Sequence, residues 1–391
     1  MSDWNSYEAL LTEGYRKCAK LTWRYGTTYF WGAALLAKPQ RKHVHAIYAL
    51  CRLADDIVDL PNGSDSWAST GSAHIPGSAA ISEGPEVSGS ANIPGSNGIF
   101  DGPEASTGTV HLPEAPIEPD PTMPDPEPMG PEFDETGESE PSTSSAPSAV
   151  GARLDAFAEE FRTSLAAGGS DDPVMAAIVH TVVTCRISQE YFDRFFGAMA
   201  MDLTTSTYET WEDLRTYMEG SAAVIGEMML PVLEPTGQGA RAPARSLGLA
   251  FQLTNFIRDI DEDLDRGRVY LPQDDLQLFD VDLPRREVTT GWRAFLAYEI
   301  ERNRALYSFA DTGIAMLPPR SARCVGTARV LYAQILDEIE RNGYDVFSQR
   351  VRVPTPRKAA TAARIMVTGP RMLKKQAELY QRRSTDVTQD T

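Results

Sequence analysis

Cysteine is scarce: Cys18, Cys51, Cys185 and Cys324 are the only four in 391 residues, and no two form a CxxC pair. That argues against a disulfide scaffold or a zinc site and leaves a reduced, cytoplasmic protein as the expectation. Long apolar runs are also missing. No stretch approaches the ~18 consecutive apolar residues of a membrane-spanning helix. The opening MSDWNSYEALLTEGYRKC has neither the basic nor the apolar region of a secretory signal. No strand–GxGxxG–helix pattern occurs, so nothing marks a dinucleotide site. Alternation of polar and apolar residues never runs long enough to predict a strand.

One absence is confined to a segment. Residues 61–150 hold fifteen acidic side chains and no Lys or Arg, and the remaining chain, with 40 acidic and 37 basic residues, is nearly neutral. A nucleic-acid-binding role does not suit that balance. The same segment contains 15 Pro, 11 Gly and 15 Ser, and its apolar residues lack helical spacing. It cannot bury enough surface to offset the entropy of ordering, so it is predicted to be a disordered insert. Part of it is duplicated: Ile75-Pro76-Gly77-Ser78 returns as Ile93-Pro94-Gly95-Ser96. A single degenerate repeat of this composition suits a linker, not a solenoid.

What is present elsewhere is helical periodicity. Residues 40–60 form an unbroken pattern opened by Pro39 and stopped by Pro61-Asn62-Gly63. Leu154, Phe157, Ala158, Phe161 and Leu165 follow amphipathic spacing, and 174–200 continues likewise. Thr210 and Asp213 predict a capping box opening a helix to about Leu230. Further helices are predicted from about Ala244 to Asp265, near 292–316 and near 321–342. The fold class read from this pattern is all-α.

Two of these helices carry acids on otherwise apolar faces. In YALCRLADDIVD (48–59), Asp55 and Asp59 are four apart and share a face, with Arg52 one turn earlier. In QLTNFIRDIDED (252–263), Gln252, Asn255, Asp259 and Asp263 form a stripe beside Leu253, Phe256, Ile257 and Ile260. Carboxylates are the ligands Mg²⁺ prefers, alongside substrate phosphates and water. Two such faces looking at each other would hold Mg²⁺ ions that clamp a diphosphate leaving group. A pair of solvated helix faces is the plainer alternative.

These motifs and their context resemble the squalene/phytoene synthase family, in its bacterial phytoene synthase branch. The resemblance rests on YALCRLADDIVD (48–59), MDLTTSTYETWEDL (201–214), GSAAVIGEMMLPVL (220–233), GLAFQLTNFIRDIDEDLDRGRVYLP (248–272) and LYAQILDEIERNGYDVFSQRVRVP (331–354). It implies a class I isoprenoid synthase-like helical bundle with a central apolar cavity, interrupted by the insert. The implied domains are a discontinuous catalytic unit (1–60 and 151–354), the insert (61–150) and a basic C-terminal helical tail (355–391).

The resemblance further implies Mg²⁺ ligands at Asp55, Asp59, Asn255, Asp259 and Asp263, with Mn²⁺ as a substitute and no nicotinamide. Diphosphate contacts are implied at Arg52, Arg268 and Arg350. Tyr48, Gln252, Tyr270 and Tyr332 are implied near the reacting carbons, Tyr48 and Tyr332 among the catalytic groups, and Asp56 and Arg258 as neighbours of the ligands. Where the family has a serine-rich turn, this chain has Gly26-Thr27-Thr28-Tyr29, with Thr28 and Tyr29 as the matching substrate contacts. Glu219 stands where the family often has a tyrosine two positions after the one matching Tyr217.

The implied reaction joins two geranylgeranyl diphosphates head to head, through prephytoene diphosphate, to phytoene. Ala33, one turn from Tyr29, leaves room for the longer chain. The alternatives are a dehydrosqualene or squalene synthase using farnesyl diphosphate, and a catalytically silent scaffold. Residues 351–391 carry nine basic and three acidic side chains, and Ala359 to Tyr380 suggests a basic amphipathic helix, interrupted at Gly369-Pro370, for peripheral contact with the inner membrane leaflet.

Overall fold

The computed structural model describes residues 2–26, 32–59, 148–237 and 239–369. Among them there is no strand, only an isolated bridge between Thr207 and Val269. Thirteen α-helices account for nearly all regular structure: α1 (Ser2–Tyr25), α2 (Lys38–Asp59), α3 (Ala149–Ala167), α4 (Pro173–Cys185), α5 (Gln189–Met201), α6 (Trp211–Met218), α7 (Val224–Leu233), α8 (Arg241–Arg258), α9 (Ile260–Asp265), α10 (Gln273–Leu278), α11 (Thr290–Ile314), α12 (Pro319–Arg341) and α13 (Thr355–Thr368). The described residues fall within one contact unit.

Local chemistry sets many of the boundaries. The capping box at Thr210 and Asp213 forms in full, each side chain accepting from the other's backbone N–H. Asp172 caps α4 by accepting from Met175 N at 2.8 Å, and Pro173 occupies the first turn, where its missing N–H costs nothing. Gly168 ends α3 in the left-handed conformation, at φ 73°. Ser148 accepts from Gly151 N and starts the returning helical segment at 149, two residues before the predicted resumption at 151.

Three predicted helices are divided. The run from Thr210 toward Leu230 contains a π-helical segment, Glu219–Ala223, between α6 and α7. Residues 174–200 split into α4 and α5 around Arg186, which is left-handed at φ 54°. The helix predicted from Ala244 to Asp265 is broken at Asp259, whose φ is −103° and ψ 14°. Apolar periodicity runs through all three breaks because the same face stays inward on both sides. Near Asp259 the 4-residue bonding persists: Asp259 N donates to Asn255 O and Asp263 N to Asp259 O, at 2.8 and 2.9 Å. The acidic stripe therefore survives the break.

Packing divides the interior into two main apolar clusters. One joins α1–α5 with α7 and includes Phe157, Phe161, Phe192 and Phe195, all buried. The other joins α6, α8, α11 and α12 around Leu253, Ile257, Trp292, Phe295 and Leu336. Each such side chain contributes about 1.5–3 kcal/mol by leaving water. Helix α8 presses close to the π-helical segment: a Cβ on Gly248 would lie 2.3 Å from Ala222 O, so only glycine permits that approach. On its other side Asn303 Nδ2 of α11 donates to Thr254 Oγ1 at 2.9 Å, and Thr254 and Tyr307 hydroxyls are 2.8 Å apart. That buried network fixes the rotation of α8, and with it the acidic stripe. No described helix is long and apolar enough to cross a membrane.

Candidate active site

The two acidic helix ends meet. Arg268, just beyond α9, donates to Asp59 Oδ1 at the end of α2 at 3.0 Å, bridging residues 209 apart. Asp59 and Asp263 are near enough for the Asp59 charge to raise the Asp263 carboxyl. Asp263 is pushed up to about 7, by burial first and then by Asp259 and Asp59, against the lowering pull of Arg266 and Arg268. Asp55 is also pushed up to about 7, by burial and then by Asp59, with Asp202 and Asp56 adding to it. Asp55 nonetheless keeps exposed surface. A side chain that is wet yet surrounded by protein stands on the wall of a recess.

Partly exposed groups on central helices stand nearby, Tyr48 among them, close to Arg52, Tyr332 and Asp55. Tyr48, Arg52, Phe251, Gln252, Asn255 and Tyr332 are all of intermediate exposure although α8 is packed on several neighbours. Phe251 and Tyr332 rings lie 4.5 Å apart. The chain at Gly26 passes so near Tyr48 that a Cβ there would be 2.7 Å from Tyr48 Cζ. Arg52 lies over the Tyr25 ring at 4.7 Å and pairs with Asp56 on the next turn. Asp56 is thereby committed to Arg52, whose charge also acts on Asp55, whereas Asp59 is paired with Arg268 from another segment.

Asp259 differs from the other acids. Arg258 Nε donates to its Oδ1 at 2.7 Å, and Arg350 grips both oxygens, with Nε to Oδ1 at 2.9 Å and Nη2 to Oδ2 at 2.8 Å. These cations overcome the effect of burial and hold the Asp259 carboxyl below its ordinary value. Asn255 Nδ2 reaches Gln252 Oε1 at 3.5 Å. Tyr270 donates to Asp202 Oδ1 at 3.4 Å and stacks on Phe256 at 4.0 Å.

Asp55, Asp59, Asp202 and Asp263 thus crowd one region with Arg268 as the cation joining the two sides. Burial first and then neighbouring acids lift two carboxyls to about 7, and divalent cations would relieve the part due to crowded charge. The donor set is all oxygen, as Mg²⁺ requires. Among the described residues no three acidic, His or Cys side chains converge tightly enough to cage an ion alone.

Glu219, at the start of the π-helical segment, is engaged by Arg245 at 2.6 Å, with Arg215 at 3.9 Å. Its charge is balanced by those two arginines. Thr28 and Tyr29 lie outside the described residues, and Ala33 is fully buried. Two groups near the site receive no role from the sequence. Asp202 lies in the matching stretch 201–214, but as a single acid after α5 no periodicity singles it out. Lys358 of α13 is pulled below its ordinary value by burial, then by Arg258 and Arg352, which places it near Arg258, one of the two arginines on Asp259.

An all-α bundle bearing paired acidic helices is the architecture of a class I isoprenoid synthase. The chain belongs to the squalene/phytoene synthase family: the family model of that description matches residues 23–68 and 135–357. The unmatched interval lies inside the Pro/Gly/Ser-rich segment. Phytoene synthase of Arthrospira platensis is 30% identical over 366 residues, covering 90% of this chain and 91% of its own. The 15-cis-phytoene synthase of Synechococcus elongatus is 29% identical over 365 residues, covering 90% and 91%. These relatives place the chain on the bacterial phytoene synthase branch. Among solved structures, squalene synthase HpnC of Alicyclobacillus acidocaldarius aligns with TM-score 0.58 and 25% identity, over 86% of this chain and 96% of that one. A dehydrosqualene synthase shares the fold at TM-score 0.65 and 18% identity, over 93% and 97%. Family membership makes the chain a prenyltransferase.

Proposed function

We propose that this chain joins two geranylgeranyl diphosphates head to head, through prephytoene diphosphate, to phytoene. The observation that carries this reading is the meeting of the Asp55/Asp59 and Asp263 faces, bridged by Arg268. Asp55, Asp59, Asn255, Asp259 and Asp263 would hold Mg²⁺, or Mn²⁺ in its place. Bound there, the metal would neutralise the departing diphosphate and ease cleavage of the C1–O bond.

The remaining work belongs to the chain. Arg52, Arg268 and Arg350 bind the diphosphates and keep the released group from recombining. Tyr48, Gln252 and Tyr332 line the hydrocarbon side, where the two tyrosine π faces would favour an allylic cation; Tyr270, implied there as well, is instead buried against Phe256 with its hydroxyl on Asp202 and Arg268. Thr28 and Tyr29 sit in sequence just after the Gly26 approach to Tyr48. The bundle holds the second substrate so that its C2–C3 double bond attacks the cation, and proton loss closes the cyclopropane. A second ionisation, rearrangement and proton loss give phytoene. No electrons are added in this sequence, so no nicotinamide is required.

The likeness to a squalene synthase structure supports a second reading, condensation of farnesyl diphosphate to a C30 product. Purified protein incubated with labelled C15 and C20 diphosphates, with and without Mg²⁺ and NADPH, separates the two. Phytoene from the C20 substrate, dependent on Mg²⁺ and indifferent to NADPH, is expected. A C30 hydrocarbon in preference would overturn the first reading, and no product from either would favour a silent scaffold.

In this reading residues 1–60 and 151–354 are the catalytic unit and 61–150 a linker. The product has no polar group, so its release into water is strongly unfavourable. A cytoplasmic protein docked peripherally on the inner leaflet solves that. Met366 and Val367 of α13 are exposed, at 51% and 85%, close in sequence to Arg364. The tail beyond 369 lies outside the described residues. Binding to anionic vesicles should weaken when Lys374, Lys375, Arg382 and Arg383 become Gln, and indifference to lipid charge would refute docking by the tail.

A further inference from the structure

Asp202 follows the last turn of α5 and belongs to neither acidic motif, yet its carboxylate stands beside theirs. Tyr217 of α6 donates its hydroxyl to Oδ2 at 2.7 Å, and Tyr270 donates to Oδ1 at 3.4 Å. Both phenols belong to a stack of buried rings. Tyr217 and Tyr270 lie 6.0 Å apart with planes 21° from parallel, and Phe256 covers Tyr270. Two rigid rings from different segments therefore aim one carboxylate.

The backbone of Asp202 is held as well. Arg268 Nη2 donates to its carbonyl oxygen at 3.5 Å, while Nη1 donates to Asp59 Oδ1 at 3.0 Å and to the Tyr270 hydroxyl at 3.3 Å. Asp202, Tyr270, Arg268 and Asp59 thus tie the end of α5, the segment after α9 and the end of α2 together. Among the described residues no Lys or Arg forms an ion pair with the Asp202 carboxylate, which hydrogen-bonds to phenols.

For a purely structural group this is a poor arrangement. A half-buried carboxylate with no direct ion pair, repelled by Asp59 and Asp55 and attracted by Arg268 only through space, adds repulsion that a neutral side chain would avoid. The arrangement becomes favourable when cationic charge is delivered between the acidic helices. Groups just outside a ligand set act this way: they orient the ligands and supply charge without touching the ion.

We infer, resting on the metal–diphosphate reading above, that Asp202 is a positioning residue for the metal–diphosphate cluster. It supplies negative charge from outside the ligand set and keeps Arg268 seated against Asp59.

The test is calorimetric titration of Mn²⁺ into the full-length protein in the presence of inorganic pyrophosphate. Wild type is compared with Asp202→Asn, Tyr217→Phe and Asp59→Ala. Asp202→Asn should weaken Mn²⁺ binding by about tenfold, the lower end of what such outer groups contribute, and should raise half-saturating Mg²⁺ in turnover by a similar factor. Its circular dichroism should match wild type. Tyr217→Phe keeps the charge but loosens its aim, and should weaken binding by a smaller factor. Wild-type Mn²⁺ affinity in Asp202→Asn, with binding lost in Asp59→Ala, overturns the role of Asp202 and leaves the metal reading standing. If Asp202→Asn does not fold, unchanged affinity in Tyr217→Phe overturns it instead. If wild type binds no Mn²⁺ with pyrophosphate, the metal reading falls and this inference with it.

Discussion

Arg350 holds both oxygens of Asp259 across 91 positions of sequence, at 2.8 and 2.9 Å, on a carboxylate that the motif assigns to metal. With Arg258 also on Asp259, that acid is held by two arginines in this structure, whereas Asp263 has a single looser partner, Arg266 at 3.4 Å. Diphosphate and metal entering together would offer each partner a replacement: phosphate oxygens for the arginine, a divalent ion for the carboxylate. Arg350→Gln should then raise KM for the prenyl diphosphate by about tenfold or more, as loss of a charged phosphate contact does. It should also strengthen Mn²⁺ binding in the absence of pyrophosphate, because Asp259 loses a competitor. Calorimetry and steady-state kinetics check both, and an unchanged KM with unchanged Mn²⁺ binding would show that the pair is only structural.

The acidic clamp makes a second expectation. Asp55→Ala, Asp59→Ala, Asp259→Ala and Asp263→Ala should each reduce turnover by on the order of a thousandfold. Helical content should stay near that of the parent, since these side chains serve the leaving group and not the apolar clusters. Near-normal turnover in any two of the four would refute the two-helix arrangement.

Acidity supplies a third. Burial and neighbouring charges hold the Asp55 and Asp263 carboxyls up at about 7, so the folded chain keeps their protons more tightly than the unfolded chain does. Their contribution to stability is complete below the ordinary carboxylate value and is lost as pH rises through about 7. In EDTA, Asp55→Asn should therefore melt a few degrees above the parent at about pH 8 and close to it at about pH 4. Added Mg²⁺ with pyrophosphate should raise the parent's melting temperature more at the higher pH and do little for the variant. A variant equally or less stable at both pH values would contradict the crowding of charge.

The insert yields a fourth. Replacing residues 64–146 by a short Gly/Ser linker should leave soluble protein that turns over substrate, since no group of the candidate site falls in that interval. Ser148 should be kept, because its side chain caps α3 at Gly151 N. Extending the deletion through it should cost about 1 kcal/mol, seen as a lower melting temperature. Soluble, helical but inactive protein would make the segment part of the catalytic apparatus.

Periodicity and caps by themselves determined that the chain is all-α, roughly where the helices at 38–59, 290–314 and 319–341 begin and end, and that two apolar helices carry acids on one face. These are local matters: the capping box at Thr210 and the four-residue steps from Asn255 to Asp263 depend on neighbours a turn away. Tertiary structure alone decided that Asp59 meets Arg268, that Arg350 occupies Asp259, and that Asp202 joins the acidic group through Tyr217 and Tyr270. It also decided the break at Asp259 and the π-helical turn at Glu219, where inward faces persist while the backbone departs from the regular helix. The reason is physical. A hydrophobic pattern specifies which face turns inward, but a charge's partner and its proton affinity depend on which helices are packed opposite it and how much water they displace.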